Sequence, residues 1–296
     1  MNGLVHAAAE KTTRFRRRLC CNANRLRQMP PIPTPWRRSC LARTRRFSAC
    51  AAASIPERRN GTPILAAMSI DPHLLRRQPA FAALSAAERR VLAAAASFRL
   101  LEAGEVAFRQ GEPANELRLV LSGRIKLMQT SWTDDPVILR IAHPGELLEL
   151  GRSMRPGRHD ATAGALCGAS LAVWPMQAWH GLLREMPAIM TGLAQLLAQE
   201  LSEAQGRLVE IASLDVPRRI AHAVLRLVDQ AGREEAAGTR IDFPLSRQDL
   251  AALTGTTLHN VSRILTGWER RGVIAGGRRT LLVRDIPALM ELATAP

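Results

Sequence analysis

The sequence lacks any run of about 18 consecutive apolar residues, the length that a membrane-spanning helix needs. It also lacks a glycine-rich phosphate loop, a nucleophile elbow and a metal-ligand pair at suitable spacing, which mark the commonest enzyme classes. These absences disfavour a membrane protein and an enzyme. At 296 residues, of which 47% are apolar, the chain has room for two domains with ordinary cores and some extra length.

The cysteines are few and poorly spaced for a metal site or a disulfide framework. Four of the five lie in the first fifty residues and one stands apart: Cys20, Cys21, Cys40, Cys50 and Cys167. Their spacing fits no zinc ribbon or finger, and an odd number argues against complete disulfide pairing. We therefore expect a reduced, cytoplasmic setting.

The net charge of +15 is unevenly distributed. Residues 1–67 contain 14 Lys and Arg against 2 Asp and Glu, residues 68–214 contain 15 of each, and residues 215–296 contain 12 against 9. A strongly basic chain is typical of nucleic-acid binding. Here, however, most of the excess charge lies outside the part of the chain that we expect to fold.

Residues 245–280 have the pattern of two short helices followed by a hairpin. Ser246, with Asp249 three residues later, forms a weaker capping box that starts the first helix, and Gly255 ends it. Thr256 or Thr257 then caps a second helix.

The second of these helices has an apolar stripe and a polar face. The stripe recurs at i, i+3, i+4 and i+7 and consists of Val261, Ile264, Leu265 and Trp268. The opposite face is formed by Leu258, His259, Ser262, Arg263 and Thr266. This arrangement is what a helix-turn-helix needs to place side chains in the major groove, although a generic helical hairpin has the same periodicity.

Short apolar runs at residues 273–274 and 281–283 flank Gly276-Gly277-Arg278-Arg279 and predict a β-hairpin with two arginines at its tip, that is, a wing. With this wing, residues 245–274 closely resemble the winged helix-turn-helix of the Crp/Fnr family of bacterial transcription regulators. Those proteins carry Arg-Gln-Asp/Glu in the first helix and Val-Ser-Arg or Val-Gly-Arg in the second. The matching residues here are Arg247-Gln248-Asp249 and Val261-Ser262-Arg263.

The resemblance implies roles for individual residues. Ser262 and Arg263 stand at base-reading positions, and an arginine can donate two hydrogen bonds to guanine. His259 stands where the family commonly has Glu, and Leu258 stands at a position that is often basic or polar and can instead touch a thymine methyl group. Five residues are better interpreted as phosphate contacts: Arg247, Gln248, Thr257, Arg278 and Arg279.

After an Ala-rich helical segment at residues 79–96, residues 98–174 break into short alternating runs separated by glycines. Strands of this length and spacing predict a compact antiparallel barrel or jelly roll. Residues 100–127 are similar to the opening of the cyclic-nucleotide-binding β-roll. The resemblance to the family thus extends from about residue 75 to the end of the chain.

Nucleotide-binding relatives carry a phosphate cassette in which Gly-Glu-Leu is followed about ten residues later by Arg-Ser. In this chain Glu149 aligns with the ribose-binding Glu, and Glu149, Leu150 and Gly151 form the tentative effector pocket. The Arg-Ser position falls at Asp160-Ala161. A carboxylate repels a phosphate and alanine offers no donor, so binding of cyclic AMP is disfavoured.

Haem, an iron–sulfur cluster, thiols and small organic effectors are the other chemistries in this family. His143, His159 and His180 are candidate iron ligands, yet an isolated histidine is more often structural. Cys167 lies in an apolar run at residues 163–173 and is expected to pack as a small hydrophobic residue. The cofactor and effector are therefore unassigned, and neither haem nor a cluster is supported by the spacing.

A seam of apolar residues steps by 3 or 4 through Met186, Met190, Leu193, Leu197, Leu201, Ala204, Leu208 and Ile211. It is nearly a heptad repeat with one inserted residue, which favours a parallel coiled coil between two copies. The alternative is a helix packed on its own β-roll. Asp215 then caps the next helix, with Pro217 in its first turn.

Residues 1–67 show no sustained period, and we expect them to be disordered because they bury too little surface to offset chain entropy. No apolar stretch marks a secretory signal. A basic arm for DNA phosphates and a redox or metal-cluster site stay open, although Cys20-Cys21 and Cys40 do not match the cluster spacing of the Fnr branch. The favoured interpretation is an assigned start upstream of the real one, since Met68-Ser69-Ile70-Asp71 resembles the beginning of a regulator.

The sequence thus predicts an α+β protein: a disordered extension (1–67), a β-roll sensor (68–187), a dimerisation helix (188–214) and a winged helix-turn-helix domain (215–296). The expected function is that of a homodimeric, sequence-specific transcription regulator that binds double-stranded DNA at a palindromic operator, with RNA polymerase as a further partner. The alternative is a ligand-binding signalling or scaffold protein whose winged helix contacts protein. The effector, the operator sequence and the direction of regulation stay open.

Overall fold

The computed structural model describes residues 70–76, 78–130, 136–155 and 157–294. The predictions for residues 1–67, including those for the first four cysteines, lie outside the described residues. The first described elements are α1 (Pro72–Arg76), a 3₁₀ turn (Pro79–Phe81) and α2 (Ala86–Ala94).

The helical entry predicted over residues 79–96 is present, but it is divided into a 3₁₀ turn and a helix because Ser85 caps a new helix. Its hydroxyl accepts a hydrogen bond from the Glu88 amide at 3.2 Å, and the Glu88 carboxylate accepts one from the Ser85 amide at 2.7 Å. This capping box holds Ser85 in an extended conformation and separates α2 from the preceding turn.

Within the described residues, eight strands build the β-roll: β1 (Ser97–Leu101), β2 (Val106–Phe108), β3 (Glu116–Ser122), β4 (Ile125–Thr130), β5 (Pro136–Ala142), β6 (Leu147–Leu148), β7 (Thr162–Ala165) and β8 (Ala169–Pro175). They form two antiparallel sheets, in the orders β1-β8-β3-β6 and β2-β7-β4-β5. The predicted jelly roll is confirmed. Gly123, in the turn between β3 and β4, has a φ of 82°, and a Cβ there would lie 2.4 Å from the Gly168 carbonyl oxygen.

The side chains on the two faces of β3 pack into two different hydrophobic cores. Leu117 and Leu119 pack with the helices, whereas Val120 packs between the two sheets with Phe108. The helical core contains Trp174, whose indole nitrogen donates to the Leu92 carbonyl at 2.9 Å. Both cores lie within the first two-thirds of the described chain and fix the shape of the β-roll.

Two helices follow the roll, α3 (Met176–Glu185) and the 27-residue α4 (Pro187–Ser213). The predicted seam on α4 divides into two parts. Met186 and Leu193 are buried in the helical core of the same chain, as the single-chain alternative predicts. Leu201, Leu208 and Ile211 remain 60%, 66% and 55% exposed, so the second half of α4 presents an uncovered apolar stripe.

The C-terminal part consists of α5 (Val216–Ala231), β9 (Gly232–Glu235), β10 (Gly238–Ile241), α6 (Arg247–Thr254), α7 (Leu258–Arg270), β11 (Ile274–Gly277), β12 (Thr280–Val283) and α8 (Ile286–Thr294). As predicted, Asp215 caps α5, accepting a hydrogen bond from the Arg218 amide at 3.0 Å. The wing hairpin β11-β12 is also confirmed. It belongs to a four-stranded sheet of order β11-β12-β10-β9, two strands of which the sequence did not predict.

Candidate nucleic-acid interface

Helix α6 begins and ends as its sequence predicts. The Ser246 hydroxyl accepts from the Asp249 amide at 3.0 Å, and the Asp249 carboxylate accepts from the Ser246 amide at 3.1 Å and from the Ser246 hydroxyl. Gly255 ends the helix with a φ of 62°, a left-handed conformation that glycine adopts without strain. The turn therefore has the sharp geometry that a helix-turn-helix requires.

Thr257, and not Thr256, caps α7, since its hydroxyl accepts from the Asn260 amide at 3.2 Å. The predicted stripe is buried: Val261, Ile264, Leu265 and Trp268. On the other side of α7, Leu258, His259 and Arg263 are exposed and Ser262 is half-buried. The four predicted base-reading residues thus share one outward surface, which we call the α7 outer face.

The predicted phosphate contacts lie at the start of α6, at the start of α7 and at the wing tip. Gln248 lies in the first turn of α6, and Thr257 at the start of α7; both are exposed. Arg278 and Arg279 are exposed at the wing tip, where Arg279 has a φ of 65° and its carbonyl accepts from the Leu245 amide at 3.1 Å. That bond ties the wing to the start of α6.

Arg247, the remaining predicted phosphate contact, is engaged inside the winged helix. Its guanidinium lies 2.9 Å from the Glu269 carboxylate and also donates, at 3.5 Å, to the Ser262 carbonyl and the Thr266 hydroxyl of α7. The sequence reasoning missed Glu269, because the pair spans 22 residues and no local pattern signals it. The carboxylate also lies against the wing, where a Cβ on Gly276 would approach its Oε1 to 2.4 Å.

The residues of the cassette are paired with one another. Glu149 has a φ of 51°, and its carboxylate accepts from the Ala161 amide at 2.9 Å and is hydrogen-bonded to His159 Nδ1. His159 is buried and stacks on Phe108 with the ring centres 3.8 Å apart. Asp160 is ion-paired with Arg152. Of the three residues predicted to form the effector pocket, Glu149 is therefore engaged by His159 and Ala161, Leu150 is buried and Gly151 is exposed.

Two family profiles match the chain, the cyclic nucleotide-binding domain over residues 98–186 and the Crp-like helix-turn-helix domain over residues 218–292. The chain is 32% identical over 195 residues to the cyclic AMP receptor protein of Thermus thermophilus, a match that covers 66% of this chain and 87% of that protein. The chain belongs to the Crp/Fnr family of transcription regulators.

Other members of the Crp/Fnr family agree with this assignment. A CRP-like cAMP-activated global transcriptional regulator of Mycobacterium tuberculosis is 24% identical over 64% of this chain and 85% of that protein. The structure of FixK2 from Bradyrhizobium japonicum has a TM-score of 0.60 at 21% identity, covering 68% of this chain and 98% of that one, and so supports the fold. The named relatives are transcription regulators, and the matched helix-turn-helix makes this chain a DNA-binding regulator as well.

Two of the three candidate iron ligands of this Crp/Fnr regulator, His143 and His159, have protein partners. His143 Nδ1 lies 2.7 Å from the Glu146 carboxylate, which is also ion-paired with Arg140. Burial alone would lower the pKa of His143, but the hydrogen bond and charge of Glu146 outweigh it and raise that pKa. Within the described residues no three His, Cys, Asp or Glu side chains cluster in a way that could hold a metal ion.

Cys167 does not pack in the core as expected. It is half-buried in the turn between β7 and β8, where the apolar run of residues 163–173 reverses direction. Among the residues that the structure describes, no helix combines the length and apolar character needed to cross a membrane.

Proposed function

We propose that two copies of this regulator bind a palindromic operator, each inserting α7 into the major groove. The observation that carries the proposal is the α7 outer face, which is turned to solvent while the opposite stripe is buried. A capped helix with this asymmetry, preceded by a tight turn, is the recognition element of a helix-turn-helix.

In this proposal the exposed Arg263 donates two hydrogen bonds to a guanine, and Ser262 contacts a base edge or a phosphate. His259 donates to or accepts from a base, and Leu258 packs against a thymine methyl group. The residues around the face position the module on the phosphates: Arg247, Gln248, Thr257, Arg278 and Arg279. The operator sequence is not transferable from relatives because His259 replaces their usual Glu.

The partner of the uncovered stripe on α4 is a second copy of the chain. Leu201, Leu208 and Ile211 are more than half exposed in one chain. Burying a leucine or isoleucine side chain fully is worth about 1.5–3 kcal/mol, so covering this stripe on both helices stabilises a parallel dimer. Such a dimer holds two α7 helices for two half-sites.

The remaining parts complete the proposal. The β-roll is a sensor at residues 68–187, α4 at 188–214 links it to the winged domain at 215–296, and RNA polymerase is a further partner in the cytoplasm. Glu149, Leu150 and Gly151 border the effector pocket. Since Asp160 is paired with Arg152 and Glu149 with His159, we expect an effector other than a cyclic nucleotide. The protein is not an enzyme in this proposal.

The test is selection of bound sites from random DNA by the full-length protein, together with its native mass. A dimer that selects a palindrome is expected, and its affinity should fall steeply with salt because phosphate contacts release counterions. The variant Leu208→Glu should become monomeric and lose most operator affinity, whereas Val91→Glu, at another exposed apolar position, should not. A monomeric wild type, or binding without sequence preference, would contradict the proposal.

The rival function is a scaffold or signalling protein whose winged helix contacts another protein. The exposed Leu258 on the α7 outer face is the feature that favours it, since apolar side chains are common in protein interfaces. This rival predicts that no selected DNA sequence emerges and that affinity for DNA is weak at physiological salt.

A further inference from the structure

The outer surface of the β4–β5 hairpin carries a lysine and two isoleucines on one side. Ile125 and Leu127 of β4 point into the core between the sheets, so Lys126 points outward. Lys126 pairs with Ile141 of β5, and Met128 pairs with Ile138. Directly paired residues of antiparallel strands lie on the same face, so both isoleucines share the outer face with Lys126.

These isoleucines are buried by the winged domain. Ile138 and Ile141 are 3% and 5% exposed, yet neither belongs to the core between the sheets. Helix α6 packs against β5 of the same chain and covers them. The first helix of the helix-turn-helix therefore docks on the sensor through an apolar contact.

Ion pairs border this contact. Lys126 Nζ donates to the Asp249 carboxylate at 2.8 Å. Arg124 lies 3.3 Å from the Asp242 carboxylate and has its guanidinium 5.6 Å from the centre of the Phe243 ring. Burial alone would raise the pKa of Asp249, but the hydrogen bonds from Lys126 and Ser246 hold that pKa below its usual value.

Asp249 is also the carboxylate that caps α6. Arg247 and Gln248, the proposed phosphate contacts of that helix, occupy the two positions just before it. A single sensor lysine thus neutralises and holds the buried carboxylate on which the first turn of α6 is built. Without Lys126, that carboxylate would keep its hydrogen bonds from Ser246 but would be buried without a cation, and its charge would repel phosphates bound at the proposed contacts Arg247 and Gln248.

We propose that Lys126 is a positioning residue for DNA binding: through Asp249 it fixes the first turn of α6 against the phosphates, and it does not touch DNA itself. This proposal rests on the proposed function. In this proposal, a movement of the β4–β5 hairpin relative to α6 changes the affinity for the operator.

The experiment compares operator affinity, by fluorescence anisotropy, among full-length wild type, Lys126→Met, Asp249→Asn and the double variant. Lys126→Met should weaken binding roughly tenfold, since it leaves a buried carboxylate without its cation. The double variant should bind no more weakly than Asp249→Asn alone, because the pair acts as a unit. Lys126→Arg should stay within about twofold of wild type because it keeps the positive charge.

Two controls separate positioning from other roles. Arg99→Met removes a cation whose partner, Glu105, lies 3.7 Å away within the roll, and it should leave affinity unchanged. The slope of log affinity against log salt should be the same for Lys126→Met as for wild type. A slope smaller by about 1.8, one phosphate for each subunit of the dimer, means that Lys126 neutralises a phosphate directly and overturns the proposal.

Native mass and thermal unfolding are measured for every variant. If Lys126→Met unfolds, the operator affinities of Lys126→Arg and Asp249→Asn are compared instead. Equal losses of affinity in the two variants overturn the proposal, and a loss of affinity in Asp249→Asn alone supports it. Unchanged or stronger binding by a folded Lys126→Met dimer overturns it as well. If the wild type selects no DNA sequence, the proposed function is refuted. If the wild type selects a sequence but the variants bind it with unchanged affinity, only the role of Lys126 is refuted.

Discussion

The α7 outer face and the cassette of the roll treat their polar side chains in opposite ways. On α7, His259 and Arg263 are exposed. In the cassette, Glu149 is held by His159 and by the Ala161 amide. A surface that must meet a partner leaves its polar groups to that partner, whereas a buried group must find partners inside the chain. The α7 outer face thus leaves His259 and Arg263 available to a partner, whereas Glu149 is committed to contacts inside the β-roll.

The largest effect in this comparison is expected from Arg263→Ala. Operator affinity should fall roughly 100-fold, because a bidentate contact to guanine is worth about 1–3 kcal/mol and the dimer makes two. Unfolding free energy should change by less than about 0.5 kcal/mol, as is usual at exposed positions. Anisotropy and urea unfolding measure the two quantities, and Arg270→Ala, exposed at the end of the same helix, is the matched control. Unaltered affinity and base preference would refute the assignment.

For Glu149→Ala in the cassette, we expect the main effect on stability and not on DNA binding. It should lower the free energy of unfolding by about 2 kcal/mol, because the Ala161 amide and the buried His159 lose their acceptor. Urea unfolding checks this, with Glu185→Ala, exposed on α3, as the control. A Glu149→Ala protein as stable as wild type would show that the cassette does not depend on its internal pairs.

Among the residues predicted to contact DNA, Arg247 is the exception, because its charge is already paired inside the protein with Glu269. In Glu269→Gln the guanidinium loses its anionic partner but keeps its hydrogen bonds to α7, and a negative charge beside the proposed DNA-binding surface is removed. We expect severalfold tighter DNA binding and a steeper fall of affinity with salt, because Arg247 then offers its charge to its phosphate without a competing carboxylate. The loss of stability should stay below about 1 kcal/mol, because the pair is partly exposed. Weaker binding would mean that Glu269 holds Arg247 in place for DNA.

The smallest effect concerns His143, whose pKa is raised above its ordinary value of 6.5 by Glu146 despite burial. Because the folded-state pKa is raised, the stabilisation is complete below about pH 6.5 and is lost as the pH rises through the folded value. Unfolding free energy should therefore fall by less than about 1 kcal/mol between pH 6 and pH 8. His143→Gln should flatten that part of the profile. An identical pH profile in the variant would refute this.

The elements that the sequence predicted correctly are those with local signals. Ser246, Thr257 and Gly255 act on their own helix ends, and the stripe of α7 follows from a spacing within thirteen residues. Strand β9 was missed because the run Gly-Arg-Glu-Glu is exposed throughout and shows no alternation, and β10 because its alternating run is only four residues long.

The features that the sequence did not predict depend on distant parts of the chain. Lys126 and Asp249 are 123 residues apart, and either charge alone looks like a solvated surface residue. The seam on α4 was predicted as one stripe, but periodicity does not tell which neighbour covers an apolar residue. Met186 and Leu193 are buried against their own chain, whereas Leu208 is exposed. The base-reading and effector assignments stay predictions.

The sheet that contains the wing has a mechanical consequence. Strand β9 starts directly where α5 ends, and it is bonded through β10 and β12 to β11, so the wing tip is coupled to α5 rather than hanging from a flexible stalk. A rotation of α5 about Leu214 and Asp215 should therefore also displace Arg278 and Arg279 at the wing tip. In the proposed dimer, lengthening that two-residue joint by one residue would alter the preferred distance between half-sites while leaving the bases read within each half-site the same.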